Sequence, residues 1–186
     1  MVSKTQSKKS RTGWIILVSV SVILLAAFVI FLSLRKKKPE QSSEVDDEPG
    51  SKMPEARIRN FHDQVKEVFF DETMARMVTA QAMHETGIFT SNVYLKNNNA
   101  FGMKEPLKRP STDLPYDESG YAEYENTTES IIDLLEWMNY VNFNQNVSTV
   151  QEYSQELKSH GYYTAPYTNY TGAMKKHLLV VEALLT

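Results

Sequence analysis

The chain has 186 residues, of which 41% are hydrophobic, 23% charged and 11% aromatic, and this composition excludes a disordered or low-complexity protein. It contains no cysteine, which excludes disulfides, thiol nucleophiles and thiolate metal sites. Eight of its 20 basic residues flank an apolar run near the N-terminus, so the rest of the chain has 12 basic against 23 acidic residues. This acidic surplus disfavours a nucleic-acid partner, because phosphates must be neutralised by Lys and Arg.

The apolar run occupies residues 14–34, after a short basic tail at residues 1–13. Its roughly 21 uncharged residues span about 31 Å as a helix, enough to cross the hydrocarbon core of a lipid bilayer. The run is longer than the apolar region of a secretory signal peptide, which has about 7 to 15 residues, and it lacks a small-residue cleavage site, so the sequence predicts an uncleaved transmembrane anchor. Four basic residues lie on each side of it. Charge therefore does not decide which end faces the cytoplasm.

A polar, acidic segment follows at residues 35–53, with Val45 its only apolar residue before Met53. Burial within such a segment is too small to offset the entropy lost on ordering. The sequence predicts a flexible linker here and a folded domain at residues 54–186.

Helical patterns open the predicted domain. Apolar residues recur at intervals of three and four from Pro54 onward, namely Ile58, Phe61, Val65 and Val68, which predicts a first helix. A second helix is predicted from about Glu72 to Thr86, with Gly87 as its C-terminal stop. The run of three asparagines that follows at residues 97–99 predicts a turn.

A stretch rich in Gly and Pro follows, from Phe101 to Glu125, and its alternating residues 121–124 predict a short β hairpin. Two further helix starts are then predicted by capping pairs, which are Asn126 with Glu129 and Ser148 with Gln151. A last helix is predicted from about Tyr170 to Leu185. The sequence thus predicts an α+β domain that is mostly helical, with a small β hairpin insertion.

The four histidines are widely separated along the chain. His84-Glu85 does not begin a zinc-protease helix, because Ile88 stands where the second His would be required. Neither a nucleophile elbow nor a phosphate-binding glycine loop is present in the sequence. We therefore expect no metal site and no cofactor.

One carboxylate stands out at the end of the second predicted helix. Ala80, Ala82 and Met83 precede Glu85, and apolar neighbours raise a carboxyl pKa, as a general acid requires. The alternative interpretation is a solvated glutamate at a helix terminus. A negative charge at the C-terminal end of a helix is locally unfavourable, and such a misfit is typical of functional sites.

Several motifs resemble those of the glucosaminidase family of peptidoglycan hydrolases, glycoside hydrolase family 73. The first is Ala80-Gln81-Ala82-x-x-Glu85-Thr86-Gly87 with Ser91, followed by Asn98-Asn99-Ala100-Phe101-Gly102-Met103-Lys104. The later ones are Gly120-Tyr121-Ala122-x-Tyr124, Glu129-Ser130-Ile131-x-Asp133, and Gly161-Tyr162-Tyr163-Thr164-x-Pro166 with Tyr170. The resemblance covers about residues 55 to 185, nearly all of the predicted domain.

The resemblance implies a lysozyme-like fold with a groove between a helical and a small β lobe. It implies cleavage of the β-1,4 bond after N-acetylglucosamine in peptidoglycan glycan strands, with Glu85 as general acid. For the second catalytic carboxylate the favoured candidates are Asp113 and Glu123, with Asp117 and Glu118 as alternatives. Candidate sugar-binding rings, each with a core position as the alternative, are Phe101, Tyr121, Tyr162, Tyr163 and Tyr170.

The chain departs from the family pattern at two positions. Ile88 stands where the family usually has Trp, with the aromatic Phe89 one place later, and Ala165 replaces an Asp that normally precedes Pro. Two alternatives to a glucosaminidase follow: a lytic transglycosylase using Glu85 alone, and a catalytically degenerate module that binds the cell wall or acts as a scaffold. Since peptidoglycan lies outside the cytoplasmic membrane, the resemblance implies a single-pass protein with its C-terminal domain outside. A bacterial autolysin and a phage lysin both fit this description.

Overall fold

Six helices form the framework of the computed structural model, which describes residues 53–106, 108–114 and 116–186. The predicted tail, anchor and nearly all of the predicted linker lie outside these residues. None of the described helices is long and apolar enough to cross a membrane. The helices are α1 (Met53–Phe69), α2 (Glu72–Thr86), α3 (Asn92–Asn97), α4 (Thr127–Tyr140), α5 (Val150–Ser159) and α6 (Tyr167–Leu185).

Helix α2 lies at the centre and packs against α1 and α6, while α1 also packs against α4, and α5 against α6. This central position explains why α2 is rich in small and apolar residues. Ten of its 15 residues are buried, and small side chains allow the neighbouring helices to approach closely. The side chain of Asp71 caps its N-terminus by accepting from the Met74 amide at 2.8 Å. Gly87 ends it in the left-handed conformation, with φ of 59°, as the sequence predicts.

The predicted caps of the later helices are confirmed in one case and wrong in the other. Asn126 accepts from the Glu129 amide and begins α4. Helix α5 is capped by Thr149 with Glu152, one residue beyond the predicted pair of Ser148 and Gln151. The Glu152 carboxylate accepts from the backbone amides of both Ser148 and Thr149, so it completes a capping box that Gln151 is one place too early to form.

The last helix begins at Tyr167, three residues before its predicted start, because Pro166 provides the extended residue that precedes the first turn. The asparagine turn is as predicted. Asn98 has a φ of 52° and ends α3, a short helix that the sequence pattern did not indicate.

The predicted hairpin at residues 121–124 is not a regular pair of strands. The described part of this region contains an isolated bridge between Lys104 and Tyr121 in place of a ladder. Backbone amides from residues 114, 122 and 124 form single hydrogen bonds with carbonyls of residues 123, 103 and 97 respectively. Because each neighbouring segment pairs for only one or two residues, no strand develops. The side-chain amide of Asn99 connects these segments by donating to the carbonyls of Met103 and Ala122, both at 2.9 Å.

We call the segment between α3 and α4, residues 98–126, the insertion. A buried ion pair attaches it to α4. The Arg109 guanidinium makes two hydrogen bonds with the carboxylate of Asp133, the Nη2–Oδ2 distance being 2.8 Å. Their side chains are 5% and 0% exposed. The Tyr124 hydroxyl donates to the same carboxylate at 2.8 Å. The segment around Arg109 is thereby fixed to the helical core.

Candidate active site

The carboxyl group of Glu85 lies in the last turn of α2, half-buried. The hydroxyl of Tyr170, in the first turn of α6, donates a hydrogen bond of 2.7 Å to Glu85 Oε1. Burial raises the pKa of Glu85 above its ordinary value, and the bond from Tyr170 partly opposes that rise. The direction agrees with the apolar environment expected from the residues around it. A carboxyl with a raised pKa is suited to donate a proton.

Tyr170 is itself enclosed by aromatic groups. Its ring stacks on that of Tyr163, with centroids 3.7 Å apart and planes 7° from parallel. The imidazole of His84 meets it edge-on at 4.9 Å. Only 4% of Tyr170 is exposed, and burial strongly raises its pKa. Tyr170 therefore stays protonated, as a hydrogen-bond donor to Glu85 must.

The sequence motifs meet in space. The hydroxyl of Tyr162, in the late tyrosine motif, donates to the carbonyl of Phe101 at 2.8 Å. One turn before Glu85, buried Gln81 accepts from the hydroxyl of Tyr153 on α5. The segment at residues 98–104, the loop at residues 161–166 and α5 thus lie around the end of α2. The role of Tyr153 has no counterpart in the motifs quoted above, and its spacing along the chain gives no signal of it.

A left-handed turn follows Glu85 immediately. Gly87, Ile88 and Phe89 have φ values of 59°, 59° and 61°. Buried Thr86 fixes this turn, since its hydroxyl donates to the Ala82 carbonyl at 2.6 Å and accepts from the Phe89 amide at 2.7 Å. The Phe89 ring packs 4.9 Å from the core ring of Phe61, while Ile88 is 40% exposed. The aromatic residue displaced by one place is therefore a core residue.

The candidates for the second carboxylate all lie in the insertion. Asp113 and Glu123 are on facing segments, because the amide of Leu114 donates to the carbonyl of Glu123 at 2.7 Å. Both side chains are half-buried. Asp113 Oδ2 is buried and has no hydrogen-bond partner among the described residues. The structure thus places the backbone segments that carry these two favoured candidates side by side within the insertion.

The two alternative carboxylates are placed differently. Asp117 accepts from the amides of Tyr121 and Ser119 and from the side chain of Asn97, and the bond from Tyr121 is the main cause of its lowered pKa. Asp117 thus forms the turn at the tip of the insertion. Glu118, next to it, is exposed.

The five candidate sugar-binding rings fall into two groups. Phe101 and Tyr170 are only 2% and 4% exposed, so neither offers a free ring face, and both occupy the core position given as the alternative. The rings of Tyr121, Tyr162 and Tyr163 are half-buried. A small domain of this size uses large aromatic side chains to complete its core, which sequence spacing does not distinguish from groove lining.

No group of three or more His, Asp or Glu side chains in the described ranges is arranged to hold a metal ion.

Comparisons with known proteins identify the family of the sequence and structures of similar fold. The sequence model of the family described as mannosyl-glycoprotein endo-beta-N-acetylglucosaminidase matches residues 71–179. No curated protein sequence matches the chain significantly.

Two solved structures have a similar fold. A type VI secretion system effector-immunity complex from Pseudomonas protegens contains a chain with TM-score 0.58 and 14% identity, covering 71% of this chain and 93% of that one. The catalytic domain of the autolysin Auto from Listeria monocytogenes has TM-score 0.53 and 16% identity, covering 75% of this chain and 90% of that domain. Because the family model spans more than half of the sequence, this chain belongs to the glucosaminidase family of peptidoglycan hydrolases.

Proposed function

We propose that the chain is a membrane-anchored peptidoglycan hydrolase that cleaves the β-1,4 bond after N-acetylglucosamine, with Glu85 as the general acid. The observation that carries this proposal is the position of Glu85: it ends a buried helix, its pKa is raised by burial, and Tyr170 holds its carboxyl group at 2.7 Å. A general acid needs both a suitable pKa and a fixed position.

The proposed reaction begins when the Glu85 carboxyl transfers its proton to the glycosidic oxygen. The bond from that oxygen to the anomeric carbon breaks, with positive charge developing on the sugar ring. Glu85 is left as a carboxylate, which the Tyr170 hydroxyl stabilises by the hydrogen bond it already donates. Water then attacks the anomeric carbon and gives one of its protons to the second carboxylate, which acts as the base. Asp113 and Glu123 remain the two favoured candidates for that role.

The two alternatives differ in the products they release. A lytic transglycosylase uses a hydroxyl of the substrate in place of water and leaves an anhydro sugar end, whereas a degenerate module releases nothing. Family membership favours hydrolysis. We therefore propose incubating the full-length chain with purified peptidoglycan and identifying the released ends by mass spectrometry. Reducing N-acetylglucosamine ends are expected. Anhydro ends or the absence of products would each reject the proposal in favour of one alternative.

The proposed location follows from the substrate. The domain acts on the outer side of the cytoplasmic membrane, while residues 14–34 contact the lipid bilayer and residues 35–53 link the two. Support for the anchor comes from the length and apolar character of its sequence.

A further inference from the structure

The loop at residues 161–166 is fixed by a lysine. Lys158, in the last turn of α5, donates to three successive backbone carbonyls, those of Tyr163 at 3.3 Å, Thr164 at 3.1 Å and Ala165 at 2.9 Å. An ammonium group has three protons to donate, and here each has a carbonyl within reach.

The same lysine contacts the aromatic stack next to Glu85. Its ammonium nitrogen lies 5.0 Å from the centroid of the Tyr163 ring, within the range of a cation–π interaction. The Tyr163 ring stacks on Tyr170 at 3.7 Å, and Tyr170 donates to Glu85 at 2.7 Å. Three consecutive contacts therefore connect Lys158 to the proposed general acid.

We propose that Lys158 is a positioning residue that fixes this loop and holds Tyr163 against Tyr170, so that Tyr170 remains hydrogen-bonded to Glu85. This role rests on the proposed function, since it affects catalysis only if Glu85 is the acid.

Apart from Lys158, hydrogen bonds hold the loop mainly at its two ends: Tyr162 donates to Leu157 and Phe101, and the Pro166 carbonyl accepts from amides of α6. Thr164, Ala165 and Pro166 are exposed, so burial does little to order them. The hydroxyl of Tyr163 donates to the carbonyl of Ser154 at 3.0 Å, which retains one end of the ring but leaves its backbone free to shift. Displacement of a catalytic group by about 1 Å can slow a reaction about 100-fold. A modest shift of the stack is therefore expected to reduce turnover without preventing folding.

The test compares three variants of the full-length chain. Lys158→Met removes the charge and the donors, Lys158→Arg retains both, and Lys175→Met removes an exposed lysine of α6 as the matched control. Peptidoglycan hydrolysis by Lys158→Met is expected to fall about tenfold in kcat with little change in KM, since the substrate-binding surface is retained. Lys158→Arg is expected to stay within about threefold of the wild type, and Lys175→Met to match it.

A second readout separates positioning from a purely structural role. Carbon-13 labelling of the glutamate side chains allows the pKa of Glu85 to be followed by NMR, independently of activity. The hydrogen bond from Tyr170 lowers that pKa, so its loosening in Lys158→Met should raise it, with no rise in Lys158→Arg or Lys175→Met. Circular dichroism checks that each variant is folded, and Lys158→Gln replaces Lys158→Met if the latter does not fold.

Wild-type turnover and an unchanged Glu85 titration in the folded Lys158 variant would overturn the positioning role. A wild-type chain that cleaves no peptidoglycan would instead reject the proposed function, and the Glu85 titration alone would then decide whether Lys158 acts on the carboxyl group.

Discussion

Two features of its position disfavour the ionised form of Glu85. It is half-buried, and it lies at the C-terminal end of α2, where the helix dipole disfavours negative charge. Both act to keep the carboxyl protonated, while the hydrogen bond from the hydroxyl of Tyr170 opposes them. A residue held in this way is costly to the fold and useful only if the proton is used, as expected where stability and function conflict.

Glu85→Gln is the direct test of the acid. The amide keeps the shape of the side chain and an oxygen to accept from Tyr170, but it has no proton to transfer. We expect less than a tenth of wild-type turnover on peptidoglycan. Because a raised pKa makes the ionised carboxyl destabilising once the pH exceeds that pKa, the free energy of unfolding at pH 7 should equal or exceed that of the wild type. Glu67→Gln, an exposed change on α1, is the control, and residual activity above a tenth would contradict the role.

The pH dependence tests the bond between Tyr170 and Glu85. Activity requires protonated Glu85, so kcat/KM falls as the pH rises through the pKa of Glu85. Because burial raises this pKa, the fall occurs at a higher pH than for an ordinary carboxyl group. Tyr170→Phe keeps the ring stacked on Tyr163 but removes the donor that lowers this pKa. The basic limb of the pH–rate profile should therefore move to higher pH. A basic limb that stays in place or moves to lower pH would show that the bond does not tune the acid.

At the level of single residues, the sequence indicates the apolar environment of Glu85 better than its contacts. Apolar neighbours and the helix end indicate Glu85, because both depend only on residues nearby in the chain. The hydrogen bond from Tyr170 to Glu85 joins residues 85 positions apart. The hydrogen bonds of Lys158 to the carbonyls of residues 163–165 depend on the geometry of that loop. Neither leaves a periodic pattern, so only the structure shows them. The rings of Phe101 and Tyr170 are ambiguous for the same reason, since core and groove positions require the same residue types.

Among the structural elements, the turn after α2 is the most strained. Positive φ values favour glycine and asparagine, yet Ile88 and Phe89 both adopt them. A β-branched residue is particularly unfavourable in this conformation. The hydrogen bonds of Thr86 and the burial of Phe89 hold the turn. The strain lies directly beside Glu85, where unusual backbone is typical of functional sites.

Relief of this strain should stabilise the domain. Ile88→Asn places a residue that tolerates positive φ at a position that is 40% exposed, so less apolar burial is lost than at a core position. We expect a gain of about 1 kcal/mol in the free energy of unfolding, which corresponds to a rise in Tm of roughly 3–5 °C. Leu95→Asn, at a helical position that is 55% exposed, is the control without strain. A lower Tm for Ile88→Asn than for the wild type would contradict the interpretation.

The insertion depends on a different interaction. Arg109 neutralises the fully buried carboxylate of Asp133 and attaches the segment preceding Asp113 to α4. Arg109→Ala leaves that buried charge without its partner and should lower the free energy of unfolding by about 3–5 kcal/mol. Urea denaturation measures this loss, with the exposed change Arg59→Ala as control. A loss below about 1 kcal/mol would indicate that water replaces the arginine.

Helices were more predictable than the insertion. Apolar spacing and caps depend on neighbouring residues, so α1, α2 and α4 agree closely with prediction. The segment at residues 121–124 has the alternation of a strand, but whether a strand forms depends on what lies beside it. Here three different segments each pair with it briefly, and local pattern carries no information about such partners.

On the scale of the whole molecule, the family match and the described fold concern the domain, whereas its location depends on residues 1–53. The domain is acidic overall, and the basic residues are concentrated on both sides of the predicted anchor. These eight flanking residues are therefore placed for the membrane surface. Because equal numbers flank the anchor, the requirement to reach peptidoglycan is the stronger guide to its orientation.

We predict a single span with the N-terminus inside and the C-terminal domain outside. In this orientation the 13-residue tail stays on the cytoplasmic side. This satisfies the preference for internal positive charge, because the tail contains Lys4, Lys8, Lys9 and Arg11. The basic residues at 35–38 oppose this orientation, and the acidic residues of the linker do little to offset them, because the preference counts cations and not net charge.

Protease added to intact cells, after any outer envelope has been opened, should cut the linker at residues 35–53 and release the domain. A cytoplasmic protein monitored in the same cells confirms that the inner membrane is closed. Protection of the domain until that membrane is lysed would show the opposite orientation. Access to peptidoglycan would then require a separate lysis event, as in the life cycle of a phage, because a domain on the cytoplasmic side has no path to its substrate while the membrane is intact.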